Sequence, residues 1–589
     1  MTKTGVAFPD YILKDSSRRK EYDYEGKKPS SRDLLLPLSF LVLFVVLSSR
    51  LFLLQVIKGY YYRYLSDSNR TKTVVIHAPR GIIFDRFGTP LVFNVPGFRE
   101  IINNKTVLLT QTEALSKIAA GKKGLEVDSL RQYPYKESFS HVVGYIGQIS
   151  KEELASPEYS SYKGGDIIGK SGLEQEYQAL LKGTDGKQLY EVNAKGELIR
   201  KLGQEDPISG KNIQVTLDAK LQNAAYEATK DITRGAIIVS TPKGEILAFL
   251  SRPSFDPNLF TMESSYRIST GSSYLTLSDI LLDSKNQPLL NRAIAGVYPP
   301  GSTFKLVVAA SGLENKIIDQ NYEIEDTGVL NVGAFSFSNW YYTGYGGKDG
   351  NVNVVKGIKR SNDIFFYKLA EKIGVDKISN TAFKFGLDKK LGIDLKGEES
   401  GTVPTRNWKQ SVIGEQWYLG DTYHYGIGQG YLLTTPLQVN GWTQAIANEG
   451  SLYVPHLLKN QKSKIKNQNL LDQHSTDLIR QGMIEACQPG GVAWPLFEFR
   501  IKNSELRIDN KNILPVASAS ADYRRVVIAC KTGTAEHGGI STKPHAWITL
   551  FAPAYNPEIV VTVLAEESGE GSNIAAPIAK KILEEWFSR

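Results

Sequence analysis

Residues 34–49, LLLPLSFLVLFVVLSS, carry no charge, and after Arg50 the apolar run resumes as LFLLQVI to Ile57. Counted as one helix, 34–57 is long enough to cross a hydrocarbon layer of about 30 Å, with Arg50 snorkelling near one end. The flanks are unequal. Arg18, Arg19, Lys20, Lys27, Lys28 and Arg32 precede the run, whereas Lys58 and Arg63 follow it. The positive-inside rule therefore expects residues 1–33 in the cytoplasm and everything after 57 on the far side of the cytoplasmic membrane. A cleaved signal peptide is the rival. The stretch before the run is long for an n-region, and no A-x-A site follows, so an uncleaved single-pass anchor is the reading. A buried core helix would show a polar face, and this run has none before Arg50.

A chain of 589 residues is too long for one core, and about 150 residues per domain suggests about four units. Hydrophobic residues at 41% and charged ones at 22% exclude a wholly disordered chain, a collagen and a polytopic transporter. The net charge, 70 − 62 = +8, is too dilute to argue for nucleic acid. The two cysteines, Cys487 and Cys530, exclude a disulfide-framed fold and a four-cysteine zinc site; free, mostly buried thiols are the favoured reading, with a disulfide between them permitted by the extracytoplasmic location and left open by the sequence. The seven histidines show no paired spacing, so neither a metal site nor a cofactor is expected.

Beyond the anchor, strands are expected over 74–77, 81–84 and 91–93, and helices over 111–119 and 171–182. Near 235 the character changes. Residues 236–240 and 245–251, joined by Thr241-Pro242-Lys243-Gly244, read as a β-hairpin. Apolar strands are expected at 526–530, 545–552 and 559–565, then an amphipathic helix over 575–587. The intervening sequence reads as mostly helical. A sheet built from both ends of this region, with helices inserted, is an α+β layered domain.

Three short motifs carry candidate chemistry, and each recurs. Ser-x-x-Lys starts at Ser17, Ser160, Ser302 and Ser463. Ser-x-Asn or Ser-x-Asp recurs, for example at Ser284, Ser361 and Ser520. Lys-[Ser/Thr]-Gly recurs, for example at Lys170 and Lys531. Context separates them. Pro299-Pro300-Gly301 ends a loop before Ser302, and an apolar helix follows Lys305. Ser302 is then a candidate nucleophile, with Lys305 one turn on as its base once desolvated. The alternative is a plain helix cap. Ser361-Asn362-Asp363 precedes a helical segment; the Ser361 hydroxyl would relay a proton, with Asp363 fixing the geometry. The alternative is again an N-cap, at Ser361 or Asp363. Lys531-Thr532-Gly533-Thr534 follows an expected strand. Lys531 would balance a substrate carboxylate, Thr532 and Thr534 would hydrogen-bond it, and Gly533 would let substrate backbone lie close. The Thr534 and Ser302 N–H groups would form an oxyanion hole. The alternative is a surface turn.

Taken together and in this order, Ser-x-x-Lys, Ser-x-Asn/Asp and Lys-Thr-Gly resemble the signature of penicillin-binding proteins and class A β-lactamases. The resemblance extends to class B penicillin-binding proteins. Residues 78–86 (APRGIIFDR), 169–174 (GKSGLE) and 181–186 (LKGTDG) resemble that family's pedestal; 244–258 and 291–305 resemble its transpeptidase domain. The Lys170 copy belongs to the pedestal resemblance. Residues 428–438 (GQGYLLTTPLQ), His545-Ala546-Trp547 and Asp363 look like the elongation type, penicillin-binding protein 2, with the division type as alternative.

The resemblance implies a cytoplasmic tail 1–33, an anchor 34–57, an elongated mostly-β pedestal 58–234 and a transpeptidase domain 235–589. It implies a peptidoglycan D,D-transpeptidase that takes D-Ala-D-Ala stem peptides, is acylated by β-lactams, uses no cofactor and binds no nucleic acid. Its implied catalytic residues are Ser302, Lys305, Ser361, Asp363 and Lys531, with Thr532, Gly533 and Thr534 binding substrate. A membrane polymerase of the SEDS family (RodA-type) would supply glycan. The interval from Arg86 to Tyr133 is short for the pedestal's head, which puts scaffold contacts in doubt. A β-lactamase would need a water-activating Glu-x-x-Leu-Asn segment, and none is present; a non-catalytic scaffold would have lost a motif residue, and none is missing.

Overall fold

The structure, a computed structural model, describes residues 31–102, 105–122, 124–193, 198–261, 272–502, 513–514, 523–538 and 542–589. The tail up to residue 30, and with it the Ser17 and Ser520 motif copies, lies outside the described residues.

The apolar run forms the helix Ser31–Phe52, which continues through a π-turn at Leu53–Ile57 into the helix Gly59–Arg70. Its large apolar side chains from Leu35 to Phe52 are more than half exposed. Among the described residues none covers them, as the packing of a core helix would require, and a helix of this length and hydropathy fits a single-pass membrane anchor. Just beyond, Tyr60, Tyr61, Tyr62 and Tyr64 are exposed, where amphipathic rings favour a membrane–water boundary. This part belongs to one compact unit, 1–74 with 187–205. Its sheet orders the strands Thr71–Ile76, Gly186–Val192 and Leu198–Glu205.

The second unit comprises 75–186 and 206–589. In its first part a long strand, Pro90–Ile102, pairs antiparallel with Lys105–Thr110 and with Glu126–Gln132. The helix expected over 171–182 is broken at Tyr177 into Gly172–Glu176 and Gln178–Leu181. Tyr177 leaves helical geometry, and its hydroxyl donates to Asp394 Oδ2 at 2.5 Å; this long-range bond has no trace in local periodicity. Two of the segments singled out by resemblance, 78–86 and 169–174, meet at Glu174. Its fully buried carboxylate takes the Arg80 guanidinium at 2.7 Å and that of Arg131 at 2.6 Å.

The rest is built on a five-stranded antiparallel sheet. Its order is Ile246–Arg252, Gly235–Ser240, Ile559–Ala565, His545–Ala552, Ala529–Ala535. The strands come from both ends of the region, as the sequence leads one to expect. They are apolar on both faces because helices cover both. Ala219–Ala228 and Ala575–Phe587 pack on one face, and Pro436–Ala447 on the other. Such strands read as continuous apolar runs rather than alternations.

Two expectations are corrected here. The strand expected at 526–530 runs instead over Ala529–Ala535, with Lys531 opposite Thr549 and Gly533 opposite Trp547. Lys531–Thr534 therefore lies inside an edge strand, whose polar residues are backbone-paired on one side and reach the site with their side chains. Residues 523–526 form a separate strand against Arg500–Lys502 and Ile513–Leu514. The cysteines, expected free, form the disulfide Cys487–Cys530, with Cα atoms 6.0 Å apart. Cys487 ends the helix Gln473–Ala486, which packs on the strand carrying Cys530, so both thiols fall in one apolar cluster. A separation of 43 residues gives no hint of that approach; only the docking of helix on strand does.

Candidate active site

Gly301–Phe304 makes a 3₁₀ turn that feeds directly into the helix Lys305–Glu314, and no side chain caps either segment. The Ser302 hydroxyl is therefore not spent as a cap, and the plain-cap reading falls. Ser302 is half-buried, whereas Lys305 is fully buried on the first helical turn. Lys305 Nζ donates to the Ser361 carbonyl at 2.8 Å and to Asp363 Oδ1 at 2.6 Å, with Ser361 Oγ 3.4 Å away.

Ser361 ends the helix Val354–Arg360 in a left-handed conformation, φ 53° and ψ 37°. This geometry is uncommon for a residue with a side chain and marks a position held by its surroundings. Lys531 Nζ donates to Ser361 Oγ at 2.8 Å and to the Thr532 carbonyl at 2.9 Å. The Ser361 hydroxyl thus lies between two lysines that come from opposite ends of the domain. The N-cap of the following helix, Asp363–Ile373, is neither Ser361 nor Asp363 but Asn362, which accepts the Phe365 N–H. Asp363 is tied to Lys305: its Oδ1 accepts from that ammonium at 2.6 Å, and its Oδ2 accepts the Trp340 N–H at 2.9 Å.

Electrostatics follow from burial. Desolvation pushes the Lys305 pKa below the lysine norm, and Asp363 opposes part of that shift. Lys531 goes well below the norm, through desolvation first and the nearby Lys305 charge second. Two buried ammonium groups with a single carboxylate beside them favour loss of one proton. A neutral amine within reach of hydroxyls is a general base.

The Ser302 turn and the Lys531 strand meet edge to edge. A Cβ on Gly533 would lie 3.0 Å from Thr303 Cγ2 and 3.1 Å from the Pro300 carbonyl. The absent side chain thus admits the nucleophile turn itself, a tighter use of the glycine than room for substrate alone. Thr532 is buried, and Thr534 is exposed with its Oγ1 3.4 Å from the Gly571 N–H. The loop at Gly428 holds the turn from the other side. The Gly301 N–H donates to the Gly428 carbonyl at 2.9 Å, and a Cβ at Gly428, where φ is +75°, would strike the Gly301 carbonyl. This supplies a physical role for the 428–438 run, which the sequence singled out only by resemblance. Asn339 and Trp340 carry no sequence signal of their own, and Asn362, although inside the Ser361-Asn362-Asp363 motif, is given no role by motif reasoning.

A family model for the penicillin-binding protein transpeptidase domain matches residues 235–584, and one for the penicillin-binding protein dimerisation domain matches 123–215. The chain is similar to the peptidoglycan D,D-transpeptidase MrdA of Haemophilus influenzae, 31% identical over 95% of this chain and 92% of that protein. Among solved structures it is similar to the penicillin-binding protein PBP2 of Helicobacter pylori in complex with MreC, with TM-score 0.70, 29% identity, and coverage of 88% of this chain and 98% of that one. It is also similar to a chain in a structure described as the structural coordination of polymerization and crosslinking by a peptidoglycan synthase complex. There the TM-score is 0.70 at 27% identity, covering 95% of this chain and 98% of that one.

Proposed function

Since the chain belongs to the penicillin-binding protein transpeptidase family, we propose that it is an elongation-type peptidoglycan D,D-transpeptidase whose nucleophile is Ser302. The observation that carries the assignment of roles is the convergence of Lys305, Ser361, Asp363 and Lys531 in one hydrogen-bonded cluster beside the Ser302 turn. Ser302 Oγ attacks the carbonyl of the penultimate D-Ala, and its proton passes to neutral Lys305. The Ser302 and Thr534 N–H groups stabilise the oxyanion. The C–N bond breaks as Ser361 Oγ passes a proton to the departing D-Ala amine, leaving a serine ester. An acceptor amine from a second stem peptide then attacks the ester, forms the cross-linking amide and restores the Ser302 hydroxyl. Thr532 and Thr534, with the edge of Lys531, receive the donor's terminal carboxylate. β-Lactams acylate Ser302 by imitating the D-Ala-D-Ala end.

The domain division follows the same reading: tail 1–33, anchor 34–57, pedestal 58–234 and transpeptidase 235–589. It is supported by the family match that begins at 235 and by the strand that begins at Gly235. One apolar helix near the N-terminus fits a single-pass anchor, and the basic flank puts the N-terminus inside and the catalytic domain outside. A SEDS-family polymerase in the same membrane supplies the glycan strands, in keeping with the likeness to a chain of a peptidoglycan synthase complex. We assign no scaffold partner, because the interval 87–132 is short for the head that would meet one.

Full-length protein in detergent, given a D-Ala-D-Ala stem peptide and an amine acceptor, releases one D-Ala per new amide by mass spectrometry. Release accompanied only by the hydrolysed donor would make it a carboxypeptidase, and no release would sink the assignment.

The Asp363 carboxylate raises the Lys305 and Lys531 pKa values against the pull of burial. In Asp363→Asn that support is gone, so both lysines lose their protons at lower pH. The acid limb of the acylation rate, which belongs to the coupled pair, then moves to lower pH. Stopped-flow acylation across a pH series reads this directly; a limb that stays put or moves upward contradicts Lys305 as base.

A further inference from the structure

Behind the catalytic cluster lies a buried carboxylate that none of the three motifs contains. Asp326 is 2% exposed, and N–H groups meet its charge. Its Oδ1 accepts the Gly328 N–H at 2.8 Å. Its Oδ2 accepts the side-chain amides of Asn339 and Asn362 and the Asp349 N–H, each at 2.9 Å. Both amides are fully buried, and each turns its oxygen to the catalytic segment. Asn339 Oδ1 accepts the Asp363 N–H at 3.2 Å. Asn362 Oδ1 accepts the Phe365 N–H at 2.9 Å and so fixes the helix start immediately after Ser361. Trp340, next to Asn339, takes the outer oxygen of Asp363 and leaves the inner one to Lys305.

Asp326 therefore anchors two arms, one to the residue that pairs with Lys305 and one to the residue that follows Ser361; Asp349 Oδ2 shares the second, accepting the same Asn362 amide at 3.0 Å. We propose that Asp326, Asn339 and Asn362 are positioning residues that hold Ser361 and Asp363 in register with Lys305. The physical need is clear. Ser361 sits in a backbone conformation it would not adopt unaided, and a misplacement of about 1 Å at a reacting group costs about 10²-fold in rate. A side-chain amide carries, on separate atoms, the donor that grips the carboxylate and the acceptor that holds the next N–H. This inference rests on the reading of Ser302 as the acylated nucleophile.

The test uses full-length protein and a fluorescent penicillin, with the acylation constant k2 and the binding constant KS measured separately. Asn362→Ser keeps a hydroxyl able to cap the helix but loses the two-way amide; Asn339→Ala cuts the other arm. Each is expected to lower k2 by about 10- to 100-fold while KS moves less than about twofold. Because both arms end on Asp326, the double variant is expected to lose less than the product of the singles. Unchanged k2 in the labelled fraction, with only fewer molecules labelled, would show a merely structural role and overturn the proposal. Strictly multiplicative losses would overturn the shared anchor. Failure of the wild type to label would overturn the nucleophile assignment itself, a result distinct from either.

Discussion

Ser302→Ala is expected to fold normally and take up no fluorescent penicillin, whereas the wild type forms a stable covalent adduct. The hydroxyl is the group that makes the ester, and no neighbouring hydroxyl is set up to replace it. Ser361 Oγ is already held between two lysines, and Thr303 Oγ1 is turned back to the Pro300 carbonyl at 2.8 Å. Removing a serine nucleophile costs on the order of 10⁴- to 10⁶-fold in turnover, so the residual rate is below detection. Ser302 is half-buried and caps nothing, so the change in stability stays within about 0.5 kcal/mol. Loss of label is then a chemical result and not an unfolding one. Lys305→Ala gives the companion outcome, slower acylation by about 10²- to 10⁴-fold, the usual worth of a general base. An adduct surviving in Ser302→Ala would move the nucleophile elsewhere. A wild-type adduct that clears within minutes would turn the protein into a hydrolase.

The largest stability effect is expected at Glu174, far from the chemistry. Its side chain is 0% exposed and faces Arg131 at 1% and Arg80 at 9%. Burial alone would raise its pKa, but the two guanidiniums outweigh burial and hold it below the usual carboxyl range. Glu174→Ala leaves two guanidiniums without their counter-charge, one fully buried, and is expected to cost about 3–5 kcal/mol. The loss reads as early amide exchange and early proteolysis of the segments around 80, 131 and 174. Replacing all three residues by apolar ones of similar size is expected to recover most of it, since the deficit comes from unpaired charge. The sign with pH follows from a depressed folded-state pKa: the stabilisation is present above the unfolded carboxyl pKa near 4.3 and is lost as pH falls through the folded value. An unchanged exchange pattern in Glu174→Ala would mean that the triad is not what ties these segments together.

Much of this was legible without coordinates. The long apolar N-terminal helix is a matter of run length. The hairpin near 235, the strands at 545–552 and 559–565 and the final helix, Ala575–Phe587, follow from apolar runs and helical spacing, which act over a few residues. The order of the three motifs selected Ser302, Ser361 and Lys531 from among their copies. Where local reading went wrong, a distant partner was the cause. Tyr177 breaks its helix to reach Asp394. The edge strand extends to Ala535 because His545–Ala552 pairs with it.

By itself the sequence determined the long apolar N-terminal helix, the layered α+β architecture and the order of the three motifs, because length, periodicity and order are properties of a one-dimensional string. Only the tertiary structure decided which atoms meet. Lys531 reaches Ser361 across 170 residues, Cys487 reaches Cys530 across 43, and Asn339 reaches Asp363 across 24. A hydrogen bond or a disulfide depends on distances of a few ångströms and on angle. These are fixed only when strands from both ends of the domain close into one sheet and the helices between them dock on its faces.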